Sequence, residues 1–280
     1  MIRHLPSEAS PPGPHDAESA LTVEGLTCHF KLRGEDKAAI TNVSFTVRPG
    51  EFVGIVGETG SGKSVTLRSV LRLLPPNARI VSGSVRLGDR DLLAAPPKQF
   101  RHIRGSRIGF IPQQPQSALN PIYRLDRQFR NVLRAHVKVR PGEARDRAIE
   151  ALRRVQIHNP ERVLASYAHE ISGGMAQRVV LAMVLQMEPT LLLADEPTTA
   201  LDVTVQREVL DLISSLYRQA NRSVVLVTHD LGVVAQYCDT MVVLRGGAVV
   251  ESGPVADVFA NPAAPYTRLL LDAAGTGRPA

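Results

Sequence analysis

The chain has 280 residues, 44% hydrophobic and 21% charged, enough apolar material for a sizeable core, so a wholly disordered protein is excluded. No stretch reaches the roughly 18 consecutive apolar residues of a membrane-spanning helix, and Cys28 and Cys238 are too few for a disulfide scaffold or a Cys-rich metal site. The net charge of +6 is uneven: residues 98–162 hold fifteen Lys or Arg against five Asp or Glu, which suits a solvated helical face first and a membrane-proximal surface second.

Residues 1–20, rich in Pro, Ser and Ala, lack the apolar centre of a secretory signal and are expected to form a flexible extension of a cytosolic protein. Leu21–Phe30 and Ile40–Val47 alternate polar with apolar residues, as strands of an antiparallel sheet do. Phe52–Val56 is a short apolar run of the kind found in buried parallel strands. A glycine-rich stretch follows, then a helical pattern over Val65–Leu74 that Pro75 and Pro76 stop. From about Pro115 to Ile171 no buried-strand run occurs, and this basic section reads as a helical insertion. Helical patterns at Met175–Met187 and Val205–Ala220 then alternate with buried-strand runs at Leu191–Ala194, Ser223–Thr228 and Met241–Leu244. That rhythm predicts an α/β fold with a mainly parallel sheet covered by helices.

The run Gly57-Glu58-Thr59-Gly60-Ser61-Gly62-Lys63-Ser64 matches G-x-x-x-x-G-K-[ST] between a predicted strand and a predicted helix. From this composition roughly 0.003 chance matches are expected along the chain, so a fortuitous glycine turn is excluded. Glycines let backbone N–H groups close around phosphates at a helix N-terminus. Lys63 then adds a cation for the β/γ-phosphates, and the Ser64 hydroxyl is a Mg²⁺ ligand. The run Leu191–Ala194 ends in Asp195-Glu196, two acids at the edge of the sheet where open α/β folds bind ligands. Asp195 is expected to hold Mg²⁺ and Glu196 to orient or deprotonate the attacking water; alone, the pair would equally fit a solvated turn.

Ile171-Ser172-Gly173-Gly174-Met175-Ala176-Gln177-Arg178 closely resembles the signature motif of ATP-binding-cassette (ABC) ATPases and precedes the acidic strand as it does there. Read by itself, Ser172 is a good N-cap, and two glycines permit a phosphate to approach the following helix. Further motifs follow in the family's order over nearly the whole chain after residue 20. Gln113 matches the glutamine that contacts Mg²⁺ and water and joins the sheet to the helical insertion. Ala200-Leu201-Asp202 matches the loop crossing the dimer interface, His229 the histidine that holds the γ-phosphate, and Phe30 the aromatic that stacks on adenine. The resemblance implies a P-loop NTPase fold with an antiparallel β subdomain and a helical subdomain. It also implies a head-to-tail dimer of two cassettes around two ATPs, in which Ser172, Gly173 and Gly174 meet the partner's nucleotide.

Within the family, Ser117-Ala118-Leu119-Asn120-Pro121 and the stretch Asp195–Gln206 resemble cassettes of dipeptide, oligopeptide and nickel importers. So does the tail Asn261–Leu270, similar to their H-P-Y-T-x-x-L-L element with Ala264 in place of the histidine. Gln114, where an acid is usual, is a second departure, and no Cys follows Cys238 to hold the iron–sulfur cluster of many peptide-importing relatives. The expected organisation is an extension over 1–20, an ATPase domain over 21–253 with its helical part near 115–171, and a tail over 254–280. The expected protein is a peripheral ATPase on the cytoplasmic face of the cell membrane. Its partners would be a second cassette, two permease subunits and, indirectly, an extracytoplasmic binding protein, with no nucleic acid; cargo would be peptides, nickel or a metal chelate. The alternatives are a soluble ABC ATPase acting on nucleic acid or ribosomes, and an exporter cassette.

Overall fold

The computed structural model describes residues 20–32, 34–198 and 202–275. Along the chain run β1 (Leu21–Leu32), β2 (Glu35–Val47), β3 (Phe52–Val56), α1 (Lys63–Val70), β4 (Ala78–Leu87), β5 (Arg90–Asp91), α2 (Pro97–Ser106) and β6 (Ile108–Ile111). Next come α3 (Leu125–Arg134), α4 (Pro141–Arg154), α5 (Pro160–Ala165), α6 (Gly173–Leu185), β7 (Leu191–Asp195), α7 (Val203–Gln219) and β8 (Ser223–Val227). The chain closes with α8 (Leu231–Tyr237), β9 (Thr240–Arg245), β10 (Ala248–Pro254), α9 (Val255–Ala260) and α10 (Pro265–Ala273).

Two sheets divide the strands. One has the order β10-β9-β3-β8-β7-β6, parallel except where β10 folds back on β9. The other, β2-β1-β4-β5, is antiparallel throughout. Every residue of β3, β7 and β8 is buried, which is why these strands read as continuous apolar runs. Their side chains still alternate in direction, and this splits the core. Phe52, Val56, Leu192, Val224 and Leu226 pack with α6, α7 and α8, whereas Val53, Ile55, Leu191, Leu193 and Val225 pack with α1 and the antiparallel sheet. Each such side chain contributes roughly 1.5–3 kcal/mol by leaving water. Between residues 115 and 171 the described chain is helical: Leu125, Phe129 and Leu133 of α3 and Ala148, Ala151 and Leu152 of α4 are buried, and α4 packs on both α3 and α6.

The elements differ from the expected ones mainly at their ends. Helix α1 stops at Val70 rather than Leu74 because Arg72 turns left-handed (φ 50°), and the Leu73 N–H donates back to the Arg68 carbonyl. Strands β1 and β2 run longer than the apolar alternation, since their exposed ends pair with each other from His29↔Ala38 to Leu32↔Glu35. Four strands were not anticipated, among them the two-residue β5. β4 and β10 are half-exposed, and β6 is only four residues long. Among the described residues no helix is long and apolar enough to cross a membrane.

Candidate active site

The loop after β3 is shaped by glycines at two positions where no other residue fits. Gly57 has φ 148°, and a Cβ there would lie 2.1 Å from the Leu244 carbonyl oxygen of β9. Gly62 has φ 104°, precedes α1, and would press a Cβ to 2.7 Å from the Ile40 side chain. Because Gly62 has no side chain and the first turn of α1 holds no acid, the helix's leading N–H groups have no side-chain cap. A helix end in that state is suited to an anion.

Lys63, 5% exposed, folds back into this loop: its Nζ donates to the Gly57 carbonyl at 2.7 Å and the Glu58 carbonyl at 2.9 Å. Burial pulls its pKa below the usual lysine range, against the pull of Glu196 and Asp195. The next residue, Ser64, donates from Oγ to Asp195 Oδ1 at 2.7 Å. Asp195 ends β7 and is fully buried, with Oδ2 lacking any hydrogen-bond partner. Burial raises its pKa; the Ser64 hydrogen bond opposes this. An orphaned carboxylate oxygen beside a hydroxyl is a pair of hard oxygen donors, and it fits Mg²⁺.

Glu196 leaves the strand with φ 45°, its N–H donating to the Val227 carbonyl at 2.9 Å, so the carboxylate turns off the end of β7. Gln113, just past β6, donates from Nε2 to Glu196 Oε2 at 3.0 Å. His229, past β8, brings Nδ1 to 3.7 Å from the same oxygen. The ends of three neighbouring parallel strands thus deliver three polar side chains to one point. They share a cleft of about 700 Å³ with Phe30, Thr59, Lys63 and Ser64. Phe30 is half-buried in β1, directly opposite Lys37 of β2, which also lines the cleft. Open backbone at Gly60, where an added Cβ would meet nothing within 4 Å, leaves room for a phosphate.

Ser172, Gly173, Gly174 and Asp202 do not line this cleft. Ser172 caps α6, its Oγ accepting from the Met175 N–H at 3.3 Å. Asp202 caps α7, its Oδ1 accepting from the N–H groups of Thr204 and Val205 at 3.1 and 3.0 Å. The two helix starts adjoin, since a Cβ on Gly174 would stand 3.0 Å from Val205, and Ser172, Gly174 and Val205 face a second hollow of about 780 Å³. Ala200 and Leu201 lie outside the described residues. The signature helix is nonetheless tied to the acidic turn, because the buried Gln177 of α6 donates from Nε2 to the Pro197 carbonyl.

Two contributors were not assigned to the site by the sequence. Lys37 reaches the cleft only through the β1–β2 register. Tyr266, in α10, accepts at its hydroxyl from the Glu58 N–H at 3.1 Å, a contact spanning 208 positions.

Comparison with known proteins agrees with this geometry. A family model described as ABC transporter matches residues 40–199. The chain is 44% identical over 94% of its length to the peptidoglycan transport ATP-binding protein YejF of Agrobacterium fabrum, of which it spans 48%. It is 40% identical over 91% of its length to the oligopeptide transport ATP-binding protein OppD of Lactococcus lactis subsp. cremoris, of which it spans 76%. Among solved structures, the ATP-binding cassette MJ0796, in a dimeric post-hydrolysis state bound to ADP and Pi, superimposes with a TM-score of 0.75 at 29% identity, covering 84% of this chain and 98% of that one.

Proposed function

The chain belongs to the ABC transporter family and is an ABC ATPase, and from that premise we propose that it is the ATP-hydrolysing subunit of an importer of peptides. The observation that carries the reading is the convergence of Gln113 and His229 on one oxygen of Glu196, in the cleft that also holds Lys63 and Ser64, the latter bonded to Asp195.

In this mechanism the loop and the uncapped start of α1 bind the phosphates by backbone N–H groups, and Lys63, held at the loop by the Gly57 and Glu58 carbonyls, turns its remaining N–H to the β/γ-phosphate oxygens. Phe30 gives the adenine an apolar face. Ser64, Asp195 and the Gln113 side chain would hold Mg²⁺, which when bound would supply positive charge to offset that of the phosphate oxygens. Glu196 accepts the proton of the attacking water, a contribution of about 10²–10⁴-fold for a positioned general base. Gln113 fixes the rotamer of that carboxylate, and His229 bridges it to the γ-phosphate. Transition-state charge is met by donors already in place, so little reorganisation is needed during the reaction.

A second cassette completes the site. The paired helix starts at Ser172–Gly174 and Asp202 present an N-terminus with no phosphate of its own chain beside it, which suits a nucleotide bound across a dimer; MJ0796 is dimeric in the structure it resembles. Peptide cargo is supported by the name of OppD, a transport protein, which also argues against the nucleic-acid alternative. The surface from Gln113 to Tyr123, where Ile122 is 76% exposed, is the proposed seat of permease coupling helices, with the two cassettes under two permease subunits at the cytoplasmic face of the membrane. An extracytoplasmic binding protein would supply cargo to those permeases. Affinity purification from detergent-solubilised membranes tests the assembly: permeases and a second cassette should co-purify in a complex whose ATPase rises with peptide-loaded binding protein. Recovery of this chain alone, with full activity that permeases do not alter, would contradict it.

A further inference from the structure

The tail beyond β10 is folded onto the cassette at a specific place. Glu251 of β10 accepts from the N–H groups of Ala263 and Ala264 at 2.7 and 3.0 Å, and so pins the start of α10. One residue into that helix stands Tyr266, 4% exposed, with the Arg245 guanidinium over its ring at 4.7 Å. Arg245 follows Leu244, whose carbonyl crowds Gly57. The hydroxyl of Tyr266 therefore reaches the phosphate loop from behind, accepting from the Glu58 N–H.

That N–H and the Gly57 carbonyl belong to one peptide unit. The unit is trans, so the two groups point in opposite directions. On one side the carbonyl takes the Lys63 ammonium at 2.7 Å; on the other the N–H is held by Tyr266 at 3.1 Å. The 57–58 peptide is clamped between the lysine that meets phosphate and a tyrosine from the far end of the chain.

We propose that Tyr266 is a positioning residue of the nucleotide site: its hydroxyl fixes the plane of the 57–58 peptide and so pre-organises the loop and Lys63 for phosphate. Binding to a loop already in place loses less freedom than binding to one that must be ordered. The tail helix becomes part of the ATP site without touching ATP. Tyr266→Phe keeps the ring and its contact with Arg245 but leaves the Glu58 N–H facing carbon, where water cannot readily replace the lost acceptor.

The inference rests on the ATP-binding reading above, and the test separates the two. Equilibrium binding of MgATP and MgADP to the full chain is compared for the natural protein and Tyr266→Phe, beside melting of the nucleotide-free forms. Both dissociation constants should rise about five- to tenfold, the scale of one unmet hydrogen bond, while the nucleotide-free melting temperature moves by less than about 2 °C. In the assembled transporter KM for ATP should rise in the same proportion with kcat kept, because Glu196, Gln113 and His229 are untouched. Unchanged dissociation constants would overturn the proposal and leave the ATP site standing. So would a rise accompanied by a large fall in melting temperature, which would make Tyr266 a packing residue only. Failure of the natural chain to bind MgATP would overturn both.

Discussion

Gln113 donates a 3.0 Å hydrogen bond to Glu196 Oε2 although the residues lie 83 positions apart, and the intervening chain is largely the helical insertion. The bond joins the segment that enters that insertion to the carboxylate proposed as base. A movement of the insertion would pull on Gln113 first, and through it on Glu196. This gives a docked permease a physical route to hydrolysis.

Loss of the base should separate binding from chemistry. Glu196→Gln keeps the shape of the side chain and can still pair with Gln113, so MgATP affinity should remain close to that of the natural protein. Single-turnover hydrolysis in the assembled complex should fall by about 10²–10⁴-fold. Near-normal hydrolysis would remove Glu196 from the mechanism.

Lys63 acts differently, because a cation on the β/γ-phosphates serves the ground and transition states alike. Lys63→Ala should therefore weaken nucleotide binding and lower hydrolysis together. Equilibrium binding alongside steady-state kinetics reads this directly; intact affinity with lost turnover would argue that the lysine serves only the transition state.

Asp195 should show a conflict between stability and function. Burial raises its pKa in the folded chain above the ordinary 3.8, so the folded state binds the proton more tightly than the unfolded state does. The resulting cost is absent below that ordinary value, grows as pH rises from it to the raised pKa, and is complete above the raised pKa. Asp195→Asn should accordingly raise the melting temperature of the nucleotide-free chain at pH 7.5 by roughly 2–5 °C. The gain should shrink as pH falls toward 3.8, and Mg²⁺-dependent hydrolysis should be lost. A variant no more stable than the natural chain at pH 7.5 would count against the buried-charge argument.

The anchor of the tail should respond to acid in the opposite sense. Burial would raise the Glu251 pKa, but the nearby Thr267 side chain, the N–H groups of Ala263 and Ala264, and Arg268 outweigh it and hold the carboxyl below its ordinary 4.5. Its contribution is present above pH 4.5 and disappears as pH falls through the lowered value. Hydrogen exchange in α10, corrected for intrinsic rates, should quicken in that window. Glu251→Gln should show the quickening already at pH 7. Equal protection in both proteins at pH 7 would place the anchor elsewhere.

Much of this molecule is written in short-range pattern. Phe52–Val56 is a buried run because a parallel strand is covered on both faces, and Gly57–Ser64 stands out because a phosphate cradle restricts residue type at each step. Asp195 and Glu196 follow from the same logic, since a strand that ends in acids presents them at the sheet edge. The order of these motifs along the chain also indicated the family. Packing decided what periodicity does not encode. The half-exposed β4 owes its place to pairing with β1, and α1 ends where Arg72 turns left-handed, short of the prolines. Lys37 enters the cleft through strand register, Gln113 and His229 meet on Glu196 because β6, β7 and β8 are neighbours, and Tyr266 finds Glu58 only after α10 docks. Most of these are contacts between residues far apart in the chain. A local pattern reports which face of an element is buried, whereas the partner on that face is selected by how the whole chain closes around its core.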